Sequence, residues 1–347
     1  MNNKRKIIII SNSQKKINND IINITHKINN IDDLIYLGNQ YEIGKIYNIN
    51  LEKLSNLVPV LTKLKNVIGM ENIKESIINQ IIYFIQDFQD KNSDMLHTVI
   101  QGPPGVGKTM LGEIIGEIYY QLDIIEKDPN INTLKFTIAK RSDLIGKYLG
   151  HTAAKTQAVI DNSLGGVLFI DEAYSLGNDE GKDSYSKECI DTINQNLTEK
   201  KNKLLVIIAG YKESLDTCFF SYNEGLRRRF PFVYTIEKYN ASDLSKILIN
   251  MIKNLGVNWD ITIDNQILNK FFEKNILLFP NYAGDIETLI FSIKIEHAKR
   301  VLYFESTSNE RKKINQTDLE NALLTYIKNK EKIIKPKHNS TNNMMYI

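Results

Sequence analysis

The sequence predicts an α/β fold: a core of five parallel strands covered by helices, followed by a small helical domain. From His97 onward, short β-rich runs alternate with longer stretches of helical apolar spacing, and after Tyr239 only the helical spacing continues. A glycine-rich stretch lies between the first of those runs and the helix that follows it, and so marks the edge of the sheet where function is expected.

The elements follow in order. Residues 1–57 form an N-terminal segment of unknown role, rich in Asn, Lys and Ile, with a short strand expected at 6–10 and a helix around 21–34. The main α/β domain is expected over 58–239. It opens with a helix over 72–88, where Ile73, Ile77, Ile78, Ile81, Ile82 and Ile85 recur three and four apart. Strands are expected at 97–101, 134–139, 167–171, 204–209 and 232–236, and right-handed crossovers would bring their carboxyl ends to one edge. No strand is expected after Tyr239. Helices over 241–255, 265–279, 283–303 and 316–328 make up a lid-like domain at 240–329, and a basic tail at 330–347 is expected to be disordered.

The totals narrow the function. A chain of 347 residues, 42% of them hydrophobic, can bury a full core. Its 44 basic and 41 acidic residues leave a net charge of only +3, too balanced for a dedicated polyanion binder. Cys189 and Cys218 show no C-x-x-C spacing, so both are expected as buried thiols rather than as a disulfide or zinc ligands. The five histidines show no ligand spacing either. The apolar run at 7–10 is too short for a signal peptide, and no run reaches the roughly 18 residues of a membrane span. An intracellular, cytoplasmic protein without membrane contact is expected.

After the first expected strand comes GPPGVGKTM, which is Gly102, Pro103, Pro104, Gly105, Val106, Gly107, Lys108, Thr109 and Met110. The pattern G-x-x-x-x-G-K-[ST] between a strand and a helix makes a phosphate-binding loop: its glycines let successive N–H groups face a polyphosphate, and the helix start adds its positive dipole end. Lys108 is expected to reach the β and γ phosphates of ATP, and the Thr109 hydroxyl to ligate Mg²⁺. The third strand, in GGVLFIDEAYSL, ends in Asp171 and Glu172. Beside a phosphate loop, Asp171 suits the metal's water shell and Glu172 suits activation of the attacking water, so hydrolysis is expected rather than nucleotide binding alone.

Together these motifs resemble an AAA+ ATPase, a P-loop NTPase, over residues 67–324. LIGKYLGHTAAKT, GGVLFIDEAYSL, LLVIIAGYKESLD and NEGLRRRFPF are similar to the branch containing red-type Rubisco activase and stage V sporulation protein K. The resemblance implies a homo-oligomeric ring, a hexamer, that remodels a protein partner. It matches Tyr148, assisted by Lys147, to an aromatic that grips polypeptide in the ring's pore; the alternative is a buried aromatic of the following helix. It matches Val67, Ile68 and Gly69 to a segment flanking the adenine, and Tyr211 to a sensor at the end of the fourth strand, normally Asn or Thr. Among Arg227, Arg228 and Arg229 it implies a finger for a neighbour's nucleotide, with Arg229 first and Arg228 second, while Arg227 would pair with a surface acid. Near 281–285 the family carries an arginine for the γ phosphate, whereas this chain has Gly284 and Asp285. Two other readings remain: a nucleic-acid motor or loader, suggested by the arginines and the basic tail, and a weakly hydrolysing, nucleotide-gated scaffold, suggested by the missing lid arginine.

Overall fold

The computed structural model describes residues 21–90, 94–127, 133–148, 150–177, 183–305 and 309–334. The strand expected at 6–10 and the end of the tail lie outside the described residues.

The helix expected around 21–34 starts later. Ile21–Ile22 (β1) is extended and pairs in parallel with Ile46–Tyr47 (β2), and the helix between them is Ile31–Gly38 (α1). A capping box sets its start: the Asn30 side chain accepts from the Asp33 N–H, and the Asp33 carboxylate accepts from the Asn30 N–H. Leu51–Asn66 (α2) runs without interruption across position 57 and buries Leu51, Leu54, Leu57, Leu61 and Leu64. Glu71–Ile85 (α3) follows, covering most of the span expected to be helical.

The main domain then alternates as expected: Thr98–Gln101 (β3), Lys108–Gln121 (α4), Phe136–Ala139 (β4), Arg141–Leu144 (α5), His151–Asn162 (α6), Gly166–Ile170 (β5), Ser184–Glu199 (α7), Leu204–Gly210 (β6), Lys212–Cys218 (α8) and Phe232–Thr235 (β7). The five strands form one parallel sheet in the order β4-β5-β6-β3-β7. Parallel strands need helical crossovers, which bury both faces of the sheet, so β5 and β6 read as unbroken apolar runs. Their side chains still alternate between two cores. Val167, Phe169, Leu205 and Ile207 face one that includes α2, α3 and α4, while Leu168, Ile170, Val206 and Ile208 face one that includes α7. Helix α4 lies close on the sheet because Gly112 leaves room for Phe169: a Cβ there would sit 2.6 Å from the ring.

Helices Ala241–Lys253 (α9), Asn265–Asn275 (α10), Ala283–Arg300 (α11) and Gln316–Ile334 (α12) build the C-terminal part. Strands do not stop after Tyr239, as the sequence suggested. Asp260–Ile261 (β8) pairs with Lys313–Ile314 (β9), a two-residue ladder too short to show a period. The helix expected over 265–279 gives way to a 3₁₀ turn at Ile276–Leu278, because Pro280 disfavours helix at the residue before it. Helix α12 continues beyond Lys328 into the expected tail. No helix among the described residues is long and apolar enough to cross a membrane.

Candidate nucleotide site at the sheet edge

The register fixes what meets at the carboxyl edge. Gln101 of β3 pairs with Gly210 of β6 on one side and with Thr235 of β7 on the other, so the glycine-rich loop emerges level with Tyr211. Strand β5 ends alongside β6, where Ile170 pairs with Ile208, and it releases Asp171 and Glu172 onto the same edge. A cavity of about 480 Å³ lies there. It is lined by Pro104, Gly105, Gly107, Lys108, Thr109 and Met110 of the loop, by Asp171, Glu172 and Tyr174 after β5, by Gly210 and Tyr211 after β6, and by Ala283, Gly284 and Glu287 of α11.

Gly105 and Gly107 adopt positive φ, which lets the loop turn tightly into α4. Gly107 caps that helix without a side-chain bond, so the first N–H groups of α4 are left for a ligand. Lys108 Nζ donates to the loop's own carbonyls, Pro103 O at 2.8 Å and Gly102 O at 3.1 Å, and lies 5.4 Å from the centre of the Tyr211 ring. Burial lowers the Lys108 pKa below the usual lysine range, opposed by the charges of Asp171 and Glu172. Gly102, Pro103 and Val106 belong to the loop but do not line the cavity. Val106 is buried, and its carbonyl accepts from the Tyr239 hydroxyl at 2.9 Å.

Asp171 continues the β4–β5 ladder, its N–H donating to Ala139 O at 3.0 Å. Glu172 takes a left-handed conformation, φ 50°, that a residue with a Cβ seldom adopts, and its side chain is exposed beside the cavity. The next turn, the 3₁₀ segment Ala173–Leu176, brings in Tyr174, a cavity residue that motif matching passed over. Burial first, then the Glu172 charge, pushes the Tyr174 phenol up to about 12. Its ring stacks on Tyr211, with centroids 5.4 Å apart.

Among the described residues, those of the lid that line the cavity include no arginine. Ala283 N donates to Gly105 O at 3.2 Å, and a Cβ on Gly105 would fall 1.9 Å from Asn281 O, so the turn entering α11 rests on the phosphate loop through backbone. Gly284 lines the cavity. Asp285 is buried, accepting from Asn281 N at 2.7 Å and from the Tyr326 hydroxyl at 2.9 Å, with Lys330 Nζ 3.1 Å away. Ile68 and Gly69 do not join the 480 Å³ cavity. Gly69 borders a second cavity of about 350 Å³ with Ile236 and Tyr239, whose hydroxyl donates to Val106 O of the phosphate loop.

The three arginines form a 3₁₀ turn at Arg227–Arg229, and none lines either cavity. Arg227 pairs with Asp216 and lies over the Phe220 ring, so its expected surface acid is present. Arg229 is half-buried, donating from Nη1 to Gly225 O at 2.8 Å and from Nε to Thr198 Oγ1 at 3.0 Å. Arg228 is exposed and makes no hydrogen bond or ion pair among the described residues. Lys147 and Tyr148 lie between α5 and α6, and Tyr148 is 68% exposed, so it is not a buried aromatic of α6. Cys189 is buried, whereas Cys218 is only partly so, contrary to expectation, because it ends the short surface helix α8.

Comparison with known proteins agrees with this geometry. Residues 98–238 match the ATPase family associated with various cellular activities, AAA. A cfxQ-like protein of Acanthamoeba polyphaga mimivirus is 43% identical over 92% of this chain and 76% of its own length. A CfxQ homolog of Trieres chinensis is 31% identical over 83% of the chain and 94% of its own. Stage V sporulation protein K of Bacillus subtilis is 36% identical over 58% of the chain and 62% of its own. The crystal structure of the FIGL-1 AAA domain in complex with ADP shares the fold, with a TM-score of 0.51 at 20% identity, covering 79% of this chain and 85% of that one. The chain belongs to the AAA ATPase family and is an ATP hydrolase. Within that family it is related to CfxQ and to stage V sporulation protein K.

Proposed function

We propose that this ATPase works as a ring, a hexamer, that remodels a polypeptide partner and hydrolyses ATP at sites shared between neighbouring subunits. The observation that carries the reading is a division of charge: Lys108, Thr109, Asp171 and Glu172 border one cavity, while Arg228 lies outside it, exposed and unpaired among the described residues. An exposed, unpaired guanidinium in a chain whose own cavity is lined by none suits a trans-acting finger.

The loop N–H groups and the start of α4 receive the β and γ phosphates, and Lys108 exchanges its two loop carbonyls for phosphate oxygens. The Thr109 hydroxyl and the Asp171 carboxylate, both hard oxygen donors on the same cavity, fit Mg²⁺, which when bound offsets charge on those phosphates. Glu172 accepts the proton of the attacking water. Arg228, together with the anchored Arg229, stabilises the transferring phosphoryl group of the neighbour. Tyr148 and Lys147, exposed between α5 and α6, grip the polypeptide; Ile68 and Gly69 flank the adenine.

Turnover per subunit is expected to collapse on dilution to concentrations where light scattering reports monomers. Constant turnover through that range sinks the shared-site reading. The absence of an arginine among the lid residues that border the cavity favours a second reading, a weakly hydrolysing, nucleotide-gated scaffold. Steady-state phosphate release with and without an unfolded polypeptide separates the two, since only the remodelling motor is stimulated.

A further inference from the structure

The proposed base, Glu172, has an unusual setting. Its backbone is held at φ 50°, yet its side chain is exposed and takes part in no ion pair among the described residues. A carboxylate that must meet one water in one direction needs a third group to orient it, and free rotation would spread it over several rotamers. The group at hand is the Tyr174 phenol, on the adjoining 3₁₀ turn, which lines the same cavity as Glu172.

That turn is rigid. Ala173 and Leu176 are fully buried, Ser175 N donates to Glu172 O at 2.7 Å, and Arg141 Nη1 clamps Ser175 O at 2.6 Å. The Tyr174 ring is fixed as well. It covers Gly210, where a Cβ would meet ring carbon Cδ1 at 2.8 Å, and it stacks on Tyr211. Tyr211 in turn lies under Lys108 Nζ, 5.4 Å from its ring centre. The two tyrosines therefore bridge the cavity from the phosphate-loop lysine to the acid.

We propose that Tyr174 is a positioning residue for hydrolysis: its phenol, held by the stack on Tyr211, donates a hydrogen bond to one oxygen of Glu172 and leaves the other directed at the attacking water. The phenol keeps its proton throughout, and the proton leaving the water goes to Glu172. This rests on Glu172 being the base.

Steady-state phosphate release and titration with a fluorescent ATP analogue on the assembled protein test it. Tyr174→Phe keeps the stack and removes only the hydroxyl. It is expected to lower kcat about tenfold, the loss of one orienting hydrogen bond, with KM and analogue affinity within about twofold. In a Glu172→Asp background, whose carboxylate is drawn back by one methylene, the same change is expected to cost less than about twofold. An unchanged kcat in Tyr174→Phe overturns the proposal, and so does an equal loss in both backgrounds, which marks a general packing effect. Glu172→Gln with full turnover would instead remove the base on which the proposal rests.

Discussion

The cavity edge and the arginine turn are built from the same sheet but differ in completeness. At the edge, the loop after β3 and the residues after β5 and β6 converge on one cavity, and Lys108 already has hydrogen-bond acceptors within its own loop. At the turn, three cations lie together. One is neutralised by Asp216, one is anchored on neutral acceptors, and one has no partner among the described residues. The contrast is what the proposed shared site rests on: the phosphate-binding residues meet on one cavity within the chain, whereas no arginine of the turn lines that cavity.

The sharpest way to break that contrast is to remove the outward half. Arg228→Ala and Arg229→Ala are each expected to lower kcat by about 10³-fold or more while leaving ATP binding intact, as measured by phosphate release and nucleotide titration. Mixing either variant with Glu172→Gln should restore part of the turnover, because some interfaces then pair an intact arginine turn with an intact acid. No recovery in a mixture shown to co-assemble would refute a shared site.

Removing the inward half comes next. Glu172→Gln is expected to cost about 10²–10⁴ in kcat with ATP still bound, read in the same two assays. A smaller effect belongs to the support beneath the arginine turn. His97 lies buried at the start of β3, accepting from Val206 N, donating to Leu197 O, and packing 5.8 Å from the Phe230 ring next to Arg229. Burial lowers its pKa from 6.5 to about 4. The unfolded chain therefore binds a proton that the folded chain refuses, so stability is full above pH 6.5 and falls as pH drops toward 4, by about 3 kcal/mol in all. Chemical denaturation of the wild type and of His97→Gln between those limits should show that slope only in the wild type, and equal slopes would contradict it. The smallest change concerns the partner end of the chain: Tyr148→Ala is expected to abolish stimulation of turnover by polypeptide, and retained stimulation would exclude the grip assigned to that loop.

Much of the fold was legible in contiguous stretches. The runs that became β3 to β7 are short, apolar and bounded by helical spacing, and a parallel sheet buried on both faces requires that pattern. The N-terminal part was less legible: the apolar residues of 21–34 suggested one helix, but Ile21–Ile22 pairs with a strand 25 residues away and Asn30 sets the true start. The β8–β9 ladder escaped notice for the same reason, since Asp260 and Lys313 are brought together only by the helices between them.

The phosphate loop, the paired acids and the family are written in local sequence, because each depends on neighbouring residues whose spacing dictates backbone geometry. Tertiary structure alone decided how those parts are supported. The stack of Tyr174 on Tyr211, the seating of Ala283 and Asn281 on Gly105, and the hydrogen bond from Arg229 to Thr198 all join segments far apart in the chain. Such contacts depend on how helices and strands pack, and no local spacing encodes them.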